Sequence, residues 1–217
     1  MRFRVIFMLL GAIVVALTFA FPLWQPLLQG NSGEVGLIAP FLPEGLQDIF
    51  AALPPDQQNA YRAIGGQNPE YATAILNAAM QPPVPAPSDM ESLPSLTGPV
   101  QVGSGRFERI DAIRWGQGDI AIFQQVDNSK LLRFENFSVA NGPSLRVVLS
   151  ASRRPTTVDE MQLNNLDIDL GQLVGTFGNQ NYEIPADTDL SQYASIVIYS
   201  PTVEMIYTIA PLTLSLR

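Results

Sequence analysis

The chain has 217 residues, 47% apolar and 15% charged, with a net charge of −8, no cysteine and no histidine. The length and apolar share allow one domain of ordinary size with smaller attachments, and the acidity argues against nucleic-acid binding. The missing residue types exclude disulfides, Cys/His zinc sites, c-type haem attachment and Ser-His-Asp or Cys-His catalysis, so no cofactor is evident and any metal would need oxygen ligands.

Arg2 and Arg4 precede an uncharged apolar run from Val5 to Leu23, and no basic residue follows until Arg62. The run is long enough to cross a bilayer, and the charge asymmetry places the N-terminus in the cytoplasm and the rest outside. Residues 1–24 therefore read as a transmembrane signal anchor, with Trp24 at the interface. The alternative is a signal peptide cleaved near Thr18-Phe19-Ala20, which would make the protein secreted. No cysteine follows, so a lipoprotein anchor is excluded.

Residues 25–42 mix Gly, Pro and apolar side chains and read as a stalk. Residues 43–80 read as a cluster of three short amphipathic helices. The first carries Leu46, Ile49, Phe50 and Leu53; the second runs from Asp56 through Ile64 to Gly65-Gly66; the third is capped by Asn68-Pro69-Glu70 and runs from Tyr71 to Met80. Residues 81–99, with five prolines within 82–94 at 82, 83, 85, 87 and 94, read as a semi-rigid linker and domain boundary.

From Val100 the pattern becomes β-type, and residues 100–217 read as an antiparallel β-sandwich-like domain, making the chain mainly β. Expected strands are 106–113, 119–125, 131–134, 145–150, 168–170, 195–199 and 205–210. Gly116-Gln117-Gly118, Asp127-Asn128, Asn141-Gly142-Pro143 and Gly178-Asn179-Gln180-Asn181 read as turns. Leu145, Val147 and Leu149 share one face, and the run Ile196 to Tyr199 is apolar on both, as in a covered central strand. Asp187 to Tyr193 reads as a helical turn.

Within 103–212 the order of several short motifs resembles the DM13 domain family. They are Gly105-x-Phe107, Leu132 to Phe137, Asn141-Gly142-Pro143 with Leu145, and Val148 to Ser150. The most specific is Leu170-Gly171-x-Leu173-x-Gly175-x-x-Gly178-Asn179-Gln180-Asn181-Tyr182-x-Ile184-Pro185, followed by Tyr193-x-Ser195 to Tyr199 and Ala210-Pro211-Leu212. The resemblance implies a β-sandwich-like extracellular module proposed to take part in electron transfer. That proposal leans on a cysteine just after the strand ending at Tyr199, where this chain has Ser200. The histidine often found near the family's first strand is missing, and Ser144 replaces an acid after the Gly-Pro pair. Serine cannot cycle through thiol redox states.

Other constellations read as structural. Asn165, Asp167 and Asp169 alternate along a strand, with Asp187 and Asp189 in a loop that could approach, which makes the four acids weak calcium candidates. The Gly175-to-Asn179 stretch lacks the helix a phosphate-cradling loop needs, so its glycines read as turn residues. Ser200 has no histidine base, and Lys130 is the only lysine. Asn136-Phe137-Ser138 is a glycosylation sequon inside a family motif. The expected function is a membrane-anchored extracytoplasmic interaction module, not an enzyme, with a protein or envelope partner. An accessory electron-transfer protein of the envelope is the alternative.

Overall fold

The computed structural model describes residues 39–162 and 166–215. The chain divides into two compact units, Met1–Leu53 and Pro54–Arg217. The apolar run Val5–Leu23, and with it the anchor, lies outside the described residues, as does most of the stalk. Among the described residues no helix is long and apolar enough to cross a membrane.

The described part of the first unit is one helix, α1 (Glu44–Ala52), with Phe50 fully buried. Gln47 ties the chain ahead of the helix back onto it: its amide donates to the carbonyl of Leu42 at 2.7 Å, and its oxygen accepts from the amide of Ala39 at 2.9 Å.

The second unit opens with a helical pair, α2 (Pro55–Gly65) and α3 (Pro69–Ala79). Proline stands at the first turn of each, where its missing N–H is not needed. The Asn68 side chain accepts from the amides of Glu70 and Tyr71, the cap expected from the sequence. The pair buries Tyr61, Ile64, Ala72, Ile75 and Leu76.

Among the described residues ten strands follow: β1 (Val100–Arg106), β2 (Glu108–Arg109), β3 (Gly116–Gln124), β4 (Lys130–Val139), β5 (Arg146–Ser150), β6 (Ile168–Gln172), β7 (Gln180–Ile184), β8 (Ser195–Ser200), β9 (Met205–Pro211) and β10 (Thr213–Leu214). They form two five-stranded sheets, ordered β10-β1-β3-β4-β7 and β2-β9-β8-β5-β6, with every pairing antiparallel. The chain changes sheet at Phe107, between β1 and β2, and again at Leu212, between β9 and β10. Sheets joined by such corner strands share one core.

Phe107, Phe134, Phe137 and Tyr182 meet in that core with successive ring centroids 4.9 to 5.1 Å apart. Packing of this kind contributes about 1 kcal/mol per aromatic pair beyond the area buried. The strand Ile196–Tyr199 is central, as its composition implies, and a short helix, α4 (Val158–Gln162), covers its outer face. Met161 there packs with Val148, Val197 and Ile206.

Three expectations are corrected. The first strand lies at 100–106, and of the expected 106–113 only Glu108–Arg109 continues as strand, because Asp111 then turns the chain by accepting from the amides of Ile113 and Arg114. Gly103 and Gly105 hide the strand in the sequence; at Gly105 a Cβ would stand 2.5 Å from the Pro211 carbonyl. The expected turn at 178–181 runs into strand β7, whose Gln180 is fully buried with its amide satisfied by Gly175. Third, the Pro-rich 81–99 stretch is largely exposed and extended on either side of a 3-10 turn at Ser88–Met90, but it is seated along the sandwich rather than free of it.

Candidate functional site

Ser200, where the resemblance to the family leads one to expect a cysteine, ends β8 and is fully buried. Its hydroxyl donates to the carbonyl of Pro143. The preceding residue, Gly142, lies flat against the ring of Tyr207 on β9: a Cβ there would stand 2.3 Å from Cζ and 2.6 Å from the phenol oxygen. Only a glycine permits that approach. Tyr207 is itself fully buried, and its hydroxyl has no hydrogen-bond partner among the described residues.

The helical pair closes this corner. Tyr61 on α2 is 2% exposed and lies close enough to Tyr207 to act on its charge. Burial and then the Glu204 carboxylate raise the Tyr71 phenol on α3, and Asn141 donates to the Gln81 carbonyl at 2.6 Å. Glu204 sits at φ 49°, a left-handed conformation costly for a non-glycine residue. Nearby, Asp111 and Arg114 pair at 2.7 Å.

Burial pushes the Tyr61 phenol up to about 12, helped by the Asp111 carboxylate. Burial raises Tyr207 as well, with Tyr61 the next cause and Arg114 opposing. Tyr182 is raised by burial too, against the pull of the Val174 amide. In the unfolded chain these phenols ionise near pH 10, so the folded state holds more protons above that pH and stability falls as pH rises. Their contribution is fully present below pH 10 and is lost as pH climbs through the folded values. From Tyr61 alone the loss is about 2 kcal/mol by pH 12. A thermal-unfolding series from pH 8 to 12 is expected to show a falling midpoint, with the phenolate absorbance of Tyr61, Tyr182 and Tyr207 appearing only with unfolding; ionisation of all six tyrosines in the folded state would contradict the burial.

A second cluster gathers the remaining motif residues around the Pro-rich segment. The amide of Val84 donates to the Thr176 hydroxyl at 2.8 Å, the Thr176 amide returns to the Val84 carbonyl at 2.7 Å, and the Ala86 amide donates to the Phe177 carbonyl at 2.8 Å. At Gly175 a Cβ would stand 2.6 Å from the Ala86 nitrogen, so the glycine makes room for a main chain. Gly178 also faces Ala86, and its amide donates to the carbonyl of Phe137, a ring of the central core. Farther along, Asn179 accepts from the amide of Asn136 and donates to the Glu91 carbonyl.

Arg133 closes this second cluster. Its guanidinium, on the face of β4 turned toward the segment, is 3% exposed. It donates to the carbonyls of Met90 at 2.7 Å, Glu91 at 2.6 Å and Ser92 at 3.4 Å, and to the Asn181 side chain at 3.1 Å. Its Nε faces Glu135 at 3.6 Å, an ion pair without a hydrogen bond.

The other expected positions are structural. Gly171 is at φ 117°, beside a bulge between β5 and β6, a conformation that favours glycine. Tyr182 donates to Gln180 at 2.6 Å, and the Pro185 carbonyl accepts from Thr188. The weak metal candidates do not converge: among the described residues no group of three acids could hold an ion. Asp167 accepts from Ser150 and Ala151, Asp169 pairs with Arg146, Asp189 caps Ser191, and Asp187 is exposed. Asn165 lies outside the described residues. A cleft of about 560 Å³ on the β1–β3 face is lined by ions that neutralise one another, Arg106 with Asp119 and Arg154 with Glu108.

Sequence reasoning missed Arg133, Thr176 and the pairing of Tyr61 with Tyr207. The available signal was an arginine inside an otherwise apolar strand, Leu131-Leu132-Arg133-Phe134: a charge so placed needs buried partners.

Two antiparallel sheets, corner strands shared between them and a glycine-rich stretch leading into an edge strand define an all-β sandwich module. Residues 107–212 match the family described as "Electron transfer DM13", so the sandwich is a DM13 domain. No curated protein and no solved structure matches the chain.

Proposed function

We propose that this chain is a membrane-anchored extracytoplasmic interaction module whose DM13 domain binds a protein or envelope partner. The observation that carries this reading is Ser200. At the position where the family's proposed redox role rests on a cysteine, the side chain is a buried hydroxyl committed to the Pro143 carbonyl. Such a bond is worth about 1 kcal/mol of stability and transfers no electrons. Val5–Leu23 with its two leading arginines supports the anchor. No catalytic step is part of the reading, since the chain has neither histidine nor cysteine.

The second reading, accessory electron transfer, draws on the family description and on the buried tyrosines. One-electron oxidation of a phenol needs somewhere for its proton to go. Tyr207 has no acceptor at its hydroxyl among the described residues, and burial holds the protons of both Tyr61 and Tyr207 tightly. The geometry thus favours packing over relay.

Native mass spectrometry and UV-visible absorbance of the purified full chain, before and after dithionite, separate the two readings. A bare polypeptide mass with aromatic absorbance alone is the expected result. A bound mass with a reducible band would overturn it.

A further inference from the structure

The segment from Val84 to Ser92 precedes the family match, which begins at 107, yet it sits on the family's most specific motif. What the motif touches in it is main chain. The Val84 amide and carbonyl, the Ala86 amide and the carbonyls of Met90, Glu91 and Ser92 make the hydrogen bonds; the one side chain engaged is Glu91, 3.3 Å from Asn179. Most of its side chains point away: Val84 is 52% exposed, and Pro85, Pro87, Ser88 and Asp89 are exposed as well, while Ala86 and Met90 are half-buried and the small Ala86 side chain faces Gly178. Gly175 leaves space that only a close-lying backbone fills, and Pro85 forms a parallel bridge with Phe177. This is strand addition at a sheet margin followed by capture of a turn's carbonyls by a buried guanidinium.

A site that reads mainly backbone atoms, and asks for a small side chain opposite Gly178, accepts many segments able to lie extended and then turn. Prolines favour such a segment because they reduce the entropy lost on docking. We propose that the groove lined by Gly175, Thr176, Asn179, Asn181 and Arg133 is a docking site for an extended, proline-containing segment of a partner protein. The chain's own Val84–Ser92 strap keeps it closed until displaced. The proposal rests on the interaction-module reading and names its surface and partner chemistry. The resident strap supplies the chemistry of the occupant: an extended stretch with free amides at alternate residues, then consecutive carbonyls turned to one side.

The test uses the full chain and a fluorescent synthetic peptide of residues 82–93. Val84→Pro with Ala86→Pro removes both strap amides that donate into the groove while leaving the groove unaltered. The tethered strap competes at an effective concentration on the order of 1 mM. The wild-type chain should therefore bind the peptide at least about tenfold more weakly than the double-proline variant. Adding Arg133→Ala to that variant should abolish binding, and circular dichroism should show all three folded.

A strap that stays seated after losing both donors, read by amide exchange at Thr176, overturns the proposal. So does an emptied groove that takes no peptide. If the full chain still crosslinks to an envelope protein in that case, the interaction-module reading stands and the groove alone fails.

Discussion

Gly142→Ala is expected to lower the thermal midpoint by about 10 °C. The new carbon would lie 2.3 Å from Tyr207 Cζ, far inside van der Waals contact, and Tyr207 cannot retreat because it is fully buried on a strand of the shared core. Overpacking of this kind costs about 3 kcal/mol. Tyr207→Phe is expected to do the opposite. It deletes a buried hydroxyl that has no partner among the described residues, and relieving such a group returns about 1 kcal/mol. Thermal melts of both variants decide the matter. A destabilised Tyr207→Phe would mean that the hydroxyl finds a partner in solution, an ordered water being the simplest.

The second large effect is expected at Arg133. Arg133→Ala removes the donor shared by Met90, Glu91 and Ser92, together with the Asn181 contact, and should cost about 3 kcal/mol. The loss should be local. Amide exchange at Thr176, which donates to Val84, is expected to accelerate, while amides of the central strand Ser195–Ser200 stay protected. Arg133→Lys should not rescue it, because an ammonium cannot present two edges to three carbonyls and an amide oxygen at once. A variant with unchanged exchange at Thr176 would show that the strap is held by other means.

Much of this domain can be read from its residues. The helix after Asn68-Pro69 and the covered strand Ile196–Tyr199 are written in local chemistry: a capping amide, a proline at the first turn, an apolar run of strand length. The ordered motifs point to the family. What escapes reading is whatever depends on a distant partner. β7 contains Gln180 and Asn181, polar residues that look like a turn until Gly175 and Arg133 are there to receive them. β1 is concealed by Gly103 and Gly105, whose reasons lie far along the chain at Leu214 and Pro211. Proline spacing marks 81–99 as extended, but the arginine that seats it is on another strand, and nothing local in either segment announces the other. At the Ser200 corner, composition shows the missing thiol; that the serine is satisfied by Pro143 follows only from the strand ends meeting.

The exchange of strands between sheets bears on the order in which the domain can be completed. β1 lies between β3, which follows it closely, and β10, near the far end of the chain, with Gly103 opposite Leu214 and Ser104 opposite Thr213. During synthesis one margin of β1 therefore stays unpaired until almost the entire sandwich has been made. Contacts so distant along the chain slow folding, and an unpaired margin invites neighbouring nascent chains to add a strand. Truncation just before Thr213 would remove few atoms, yet it would leave the chain permanently at that last unfinished step.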